Sequence, residues 1–244
     1  MLRTRISCSA VVPAAGESRR APTRAGKLLA SVGGKPLLCY ALRALEVAPW
    51  VREIVVVGRE QDRERIAALC RRESFTKVKV VAPGGEVRQE SVRLGLEALQ
   101  CETPLVVVHD AARPFLPLAL LERCLREAAR SGAAIAALPC PDTLKAARER
   151  AVVRTVNRAG VWLSQTPQVF RRALLLEAHG RARRYRYLAT DDAALLERAG
   201  HTVTLVPSTA LNFKVTTPED LEMARLIARD GNRLKRVLGW SVWP

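Results

Sequence analysis

Four cations, Arg19, Arg20, Arg24 and Lys27, follow the small residues Pro13, Ala14, Ala15 and Gly16, with only Glu17 set against them. Little side-chain bulk lets a ligand approach the main-chain N–H groups while the Arg and Lys heads add formal charge, so the chemistry on offer is the binding of a polyphosphate. Two well-known phosphate loops do not fit. A Walker loop has four residues between its first Gly and Gly-Lys-Ser/Thr, whereas nine separate Gly16 from Gly26-Lys27, and Leu28 takes the place of the metal-binding hydroxyl. A dinucleotide fingerprint needs G-x-G-x-x-G, and the corresponding positions carry Ala14, Gly16 and Arg19. The alternative reading is a surface loop with solvated Arg residues. Position weighs against it: an apolar run ends at Val12, and open α/β sheets bind ligands beyond the carboxyl ends of their strands.

A second constellation, His109-Asp110-Ala111-Ala112-Arg113-Pro114, ends the apolar run Pro104 to Val108. Asp110 is then a carboxylate at a strand's carboxyl end, beside the first loop if the two strands are neighbours. The histidines His109, His179 and His201 are dispersed, and the cysteines Cys8, Cys39, Cys70, Cys101, Cys124 and Cys140 form no C-x-x-C pair. Any metal is therefore expected to be held by oxygen, and the thiols to be reduced and mostly buried.

The elements that position these groups follow from periodicity. Short β-branched runs alternate with helical patterns almost throughout, which predicts a mainly parallel sheet covered by helices. Strands are expected at the run ending in Val12 and over residues 53–57, 77–81, 104–108, 133–138 and 202–206. Helices are expected over residues 36–47, 61–72, from Glu86 onward, and over 118–130, near 171–179, 190–200 and from Thr217. Pro139 to Val156 reads as a β-hairpin standing off the main sheet, and Asn212 to Val215 as a short extended piece. Thr190 is expected to cap the helix that follows, and Thr217-Pro218-Glu219-Asp220 to open the last long helix. The basic residues before a short apolar run at the N-terminus imitate a signal peptide, but Ser9 and Pro13 break the run, so it reads as a first strand and the protein is expected in the cytoplasm.

Forty Lys and Arg against 24 Asp and Glu give a formal charge of +16, a bias toward anionic partners, and no apolar run approaches the ~20 residues of a membrane helix. The densest basic patch, Arg171, Arg172, Arg181, Arg183, Arg184 and Arg186, supports a rival reading as a nucleic-acid-binding protein, but aromatics are only 5%.

Taken in order, the 13–27 loop, Gly84-Gly85-Glu86-Val87-Arg88-Gln89-Glu90-Ser91, the 109–114 segment, Asn157-Arg158, Gln165-Thr166-Pro167-Gln168 and Asn212-Phe213-Lys214-Val215-Thr216 resemble the 2-C-methyl-D-erythritol 4-phosphate cytidylyltransferases of the non-mevalonate isoprenoid pathway. The likeness runs from about residue 8 to residue 228. It implies a Rossmann-like three-layer α/β nucleotidyltransferase fold in one domain over residues 1–244, mostly parallel, with a protruding β-hairpin dimerisation arm at 139–159 and a C-terminal tail at 230–244. The implied reaction is attack by a sugar-alcohol phosphate on the α-phosphorus of CTP with release of pyrophosphate. Another polyol phosphate, such as ribitol 5-phosphate, is the alternative acceptor. By resemblance, Arg20 and Lys27 are the catalytic cations of the loop, with Arg158 and Lys214 beside them. Ala14, Ala15, Gly16, Gly85, Glu86 and Ser91 bind CTP, Asp110 holds Mg²⁺, and Arg113, Thr143, Arg158, Thr166, Thr190 and Lys214 contact the second substrate. Thr143 and Arg158 are expected to reach from one subunit of a homodimer into the site of the other. The chain departs from the family pattern at Ser18, where Gly is common, at Gly26 and Leu28, which flank the lysine in place of Pro and Gln, and at Leu211, where Asp is frequent.

Overall fold

In the computed structural model, which describes residues 6–16 and 26–231 of the 244, a run of valines in three strands sets the architecture. The elements in chain order are β1 (Cys8–Pro13), a 3-10 turn (Lys27–Leu29), β2 (Ser31–Val32), β3 (Lys35–Pro36), α1 (Leu37–Val47), β4 (Val51–Gly58), α2 (Arg63–Arg72), β5 (Val78–Pro83), α3 (Arg88–Glu97), β6 (Leu105–Val108), α4 (Leu118–Ser131), β7 (Ala133–Pro139), β8 (Leu144–Arg148), β9 (Ala151–Val156), β10 (Trp162–Arg171), α5 (Arg172–Arg184), α6 (Asp192–Arg198), β11 (Thr204–Pro207) and α7 (Pro218–Arg229). Side chains alternate between the two faces of a strand. Ala10, Val12, Ile54, Val56, Leu105 and Val107 therefore meet the layer of α1, α2 and α4, while Val11, Val55, Val57, Val106 and Val108 meet α3, α5 and α6. Both faces are dry, which is why these strands read as continuous apolar runs.

The seven-stranded sheet has the order β11-β7-β10-β6-β1-β4-β5. Pairing is parallel except at β10, which runs antiparallel to both β6 and β7. From β1 the chain moves outward through β4 and β5, then returns to place β6 on the other side of β1. Strand order thus reverses between β1 and β6, and their carboxyl ends open the crevice where such sheets take ligands. The neighbour relation assumed for Asp110 is met: His109 N–H donates to the Val11 carbonyl at 3.0 Å, one residue before the carboxylate.

Packing at this junction is tight. Gly95 of α3 lies over β1 and β4, and a Cβ there would stand 2.4 Å from Val11 Cγ1 and 2.8 Å from Val57 Cγ2. Gly95→Ala is expected to destabilise the fold by about 1–3 kcal/mol through overpacking, read as a lower urea midpoint with an unchanged slope. An unchanged midpoint would show that α3 does not pack this closely.

Two features differ from the expected elements. Residues 162–171 form an inner strand where the sequence pattern predicts no element, and the helix expected near 171–179 begins at Arg172 and runs to Arg184. Its alternation is hidden because the register breaks between Ser164 and Gln168, and the polar residues in the break are buried by hydrogen bonding instead of by apolar contact. The N-cap of α6 is Asp191, whose carboxylate accepts the Ala194 N–H at 3.0 Å, so Thr190 stands outside the helix. Residues 212–215, expected as a short extended piece, pair with no strand, and Val215 N–H donates to the Ala112 carbonyl at 2.8 Å, laying the segment beside the 110–113 loop. The last helix opens as expected, with a reciprocal Thr217–Asp220 capping box and Pro218 at its first position. The β8–β9 hairpin forms a separate two-stranded sheet. Among the described residues, no helix is long and apolar enough to cross a membrane.

Candidate active site

Two cavities open at the β1/β6 crevice and share Arg88, Asp110 and Lys214. The larger, of about 530 Å³, is bounded by Ala14, Ala15 and Gly16 after β1, by Gly85, Glu86 and Ser91 around the start of α3, and by Lys27. The smaller, of about 250 Å³, is bounded by Arg113, Thr166, Thr190 and the 164–168 bulge of β10. All six residues expected to bind the nucleotide thus line one cavity with Lys27, and Arg113, Thr166 and Thr190 line the other. Lys214 and Asp110 belong to both. Thr143 and Arg158 line neither; both are exposed at the base of the β8–β9 hairpin, where Arg158 Nη1 donates to the Pro141 carbonyl. Arg20 and Ser18 lie outside the described residues, as do Arg19 and Arg24.

The walls of the larger cavity come together because small residues allow it. A Cβ on Gly84 would stand 2.3 Å from the Ala15 Cβ, so only glycine lets the end of β5 close against the β1 loop. Ser91 is almost fully buried and its hydroxyl accepts the Gly85 N–H at 3.2 Å and donates to the Val87 carbonyl at 3.2 Å. It therefore shapes the Gly85–Glu86 segment from behind. Leu28, an apolar residue beside the lysine, packs against two core clusters and so fixes the turn that carries Lys27.

Asp110 is the electrostatic centre. Its Oδ1 accepts from Arg88 Nε at 3.1 Å and its Oδ2 from Lys214 Nζ at 2.8 Å. Burial works against its charge, but Arg88, Lys214 and Arg113 outweigh burial and hold the carboxyl well below the usual range, so it is ionised at neutral pH. The backbone around it is fixed by a relay. Thr166 Oγ1 accepts the Asp110 N–H at 3.0 Å and donates to His109 Nδ1 at 3.1 Å, and His109 Nε2 donates to the Arg113 carbonyl at 3.0 Å. A carbonyl can only accept, so the ring carries its proton on Nε2. Burial pushes the His109 pKa down to about 4, which keeps that tautomer neutral. Arg113 is buried, donates through Nη1 to the Asn212 carbonyl at 2.8 Å, and leaves its Nε without a partner among the described residues.

Arg88, Asp192 and His179 have roles in this network that residue type and spacing did not reveal. Arg88 sits inside a recognised segment, but nothing in the sequence says which carboxylates it meets. Asp192 reads from sequence as an ordinary first-turn acid. The Arg171–Arg186 patch, in contrast, is partly consumed by the fold. Arg171, Arg172 and Arg181 each donate to main-chain carbonyls, at 3.1, 2.6 and 3.1 Å.

A family model described as IspD, 2-C-methyl-D-erythritol 4-phosphate cytidylyltransferase, matches residues 8–230. The chain belongs to this family. It is 40% identical over 225 residues to the 2-C-methyl-D-erythritol 4-phosphate cytidylyltransferase of Halalkalibacterium halodurans, covering 92% of this chain and 98% of that one. With the enzyme of the same name from Shouchella clausii it shares 42% over 221 residues, 91% of this chain and 96% of that one. The crystal structure of the Thermus thermophilus 2-C-methyl-D-erythritol 4-phosphate cytidylyltransferase superposes with a TM-score of 0.77 at 40% identity, covering 91% of this chain and 99% of that one. The three-layer, mostly parallel fold and the cytidylyltransferase family expected from the ordered motifs are thus both met.

Proposed function

We infer that the chain transfers the cytidylyl group of CTP to 2-C-methyl-D-erythritol 4-phosphate, giving 4-diphosphocytidyl-2-C-methyl-D-erythritol and pyrophosphate in isoprenoid precursor synthesis. The observation that carries this reading is the pair of cavities meeting at Asp110, Arg88 and Lys214, one framed as a nucleotide site and the other ringed by Arg113, Thr166 and Thr190. CTP lies in the larger cavity, with Ala14, Ala15 and Gly16 offering backbone to the phosphates and Gly85, Glu86 and Ser91 shaping the base end. The phosphate of the acceptor lies in the smaller cavity near Arg113, Thr190 and Lys214. One of its oxygens forms a new bond to the α-phosphorus as the bond to the pyrophosphate oxygen breaks, so no protein nucleophile is required. Negative charge grows on the α-phosphate oxygens and on the leaving group. Lys27 and Arg20 on the nucleotide side and Lys214 on the acceptor side are the cations that stabilise it.

Mg²⁺ fits this donor set on chemical grounds. Among the described residues no cluster of three or more His, Cys, Asp or Glu could hold a metal alone, and a hard cation that takes one carboxylate together with phosphate oxygens suits a lone Asp110. Once bound, the ion would neutralise phosphate charge. Asp110 is the residue that would hold it.

The chain is read as one nucleotidyltransferase domain that works as a homodimer in the cytoplasm. What supports the dimer is the β8–β9 hairpin, whose Val152 and Val153 are 63% and 65% exposed; an isolated two-stranded hairpin is marginal in water and gains from a second surface. Thr143 and Arg158 at its base are then delivered to the partner's acceptor site. The double substitution Val152→Asp, Val153→Asp is expected to convert a species of twice the 26.8 kDa chain mass into monomer on light scattering and to lower turnover with it. A monomeric wild type, or a variant that stays dimeric and fully active, would remove this role from the hairpin.

The reaction itself is tested by supplying purified protein with CTP, Mg²⁺ and 2-C-methyl-D-erythritol 4-phosphate, and in parallel with ribitol 5-phosphate. Pyrophosphate release should depend on the methylerythritol substrate. Release with ribitol 5-phosphate alone would reassign the acceptor, and no release with either would refute the reading.

A further inference from the structure

Arg88 is the first residue of α3 and lines both cavities, and of its two carboxylate partners one, Asp110, lines the cavities with it while the other, Asp192, lies behind them. Nε meets Asp110 Oδ1 at 3.1 Å, and Nη1 meets Asp192 Oδ2 at 2.7 Å. Asp192 is fully buried, and its other oxygen meets His179 Nε2 at 3.1 Å. Neither Asp192 nor His179 lines either of the two cavities. A buried carboxylate is tolerated only when it is paired and hydrogen-bonded, and Asp192 satisfies that condition through these two partners.

We propose that Arg88 is a positioning residue shared by the two substrate sites, anchored from behind by the buried Asp192–His179 pair. The proposal rests on the cytidylyltransfer reading given above. A guanidinium is a rigid planar fork, so fixing Nη1 on Asp192 also fixes the direction of Nε and hence the rotamer of Asp110. A lysine ammonium on a flexible stem cannot hold two carboxylates in one fixed geometry. The neighbouring residue reinforces the tie. Gln89 donates through Nε2 to the Tyr187 carbonyl at 3.2 Å and accepts the Ala189 N–H at 2.9 Å through Oε1. Two consecutive side chains at the start of α3 thus grip residues 187–192, the stretch that carries Thr190 into the acceptor cavity. Ser91, one turn further on, holds Gly85 in the nucleotide cavity. The first turn of α3 therefore sets the distance between the two sites, and Asp110 stands on the line between them.

The two cations on Asp110 are consequently unequal. Arg88 is fastened at a second point and its side chain is 27% exposed, whereas Lys214 has Asp110 as its ion-pair partner and is 40% exposed. Arg88 stays and aligns the carboxylate; Lys214 is the cation that can turn toward a phosphate.

The test uses full-length protein carrying Arg88→Lys, Asp192→Asn, or both. Pyrophosphate release is followed while each substrate is varied in turn, and CTP binding is measured by calorimetry. Each single variant should bind one CTP per chain, lose about tenfold or more in kcat, as is usual when a residue orienting a reactive group is removed, and show a raised KM for the methylerythritol substrate with little change for CTP. Because Asp192 acts through Arg88, the double variant should be no slower than Arg88→Lys alone. His179→Gln, one contact further back, should lose less than Asp192→Asn. Single effects that multiply in the double variant, wild-type kcat in Asp192→Asn, or a loss explained entirely by a smaller CTP-binding fraction would overturn the proposal while leaving the functional reading intact. A wild type that binds CTP but releases no pyrophosphate would overturn both.

Discussion

Lys27→Ala is expected to lower kcat on the order of a thousandfold while changing unfolding free energy by only about 1 kcal/mol. The two effects separate because the backbone and the side chain of Lys27 have different jobs. Its turn is closed by the Leu29 N–H to the Gly26 carbonyl at 3.1 Å and by the Ala30 N–H to the Lys27 carbonyl at 3.2 Å. Leu28 and Leu29 pack on the core, so the path of the main chain is held mainly by these contacts. Lys27 lines the larger cavity, where, on the proposed reaction, a formal positive charge would offset the charge that develops on a departing pyrophosphate. In water that interaction would be screened; in a cavity walled by protein it is worth several kcal/mol in the transition state. Lys27→Arg keeps the charge but moves it outward, and should recover part of the rate. Turnover of the alanine variant within about tenfold of wild type, with CTP still bound, would remove Lys27 from the reaction.

How far such residues can be found without coordinates depends on whether local pattern and tertiary role coincide. They coincide for β1, β4 and β6, where two dry faces demand uninterrupted β-branched residues, and the strand order that follows brings the loops after β1 and β6 together at one cavity. They coincide again at Thr217, whose capping box is entirely local. They part at β10. Gln165, Thr166 and Gln168 are buried, but their burial is satisfied by Ser208, Asn212, His109 and Asp191, partners 23 to 57 residues away in the chain, which no windowed pattern can register. Thr190 shows the opposite error. Its spacing suits a helix cap, yet Asp191 takes that place, and the threonine lines the smaller cavity instead. Arg88 was invisible for a third reason: an arginine announces a charge, while its meaning here lies in two carboxylates 22 and 104 residues downstream.

Asp110→Asn should separate binding from catalysis more sharply than any other substitution in the site. The change is nearly isosteric and keeps an oxygen for Arg88 or Lys214, so the loop held by Thr166 and His109 should persist. What disappears is the single negative charge on which Arg88, Arg113 and Lys214 converge. A triphosphate approaching the variant meets a more positive cavity, and its affinity measured without divalent ion should be equal to or higher than that of wild type. Turnover should nevertheless fall by about a thousandfold or more, because on the proposed reaction the carboxylate that would hold Mg²⁺ and orient Lys214 is gone. Binding and rate therefore move in opposite directions. If CTP affinity instead collapses in parallel with kcat, Asp110 is part of the scaffold of the nucleotide cavity and its assignment as the metal-holding acid is wrong.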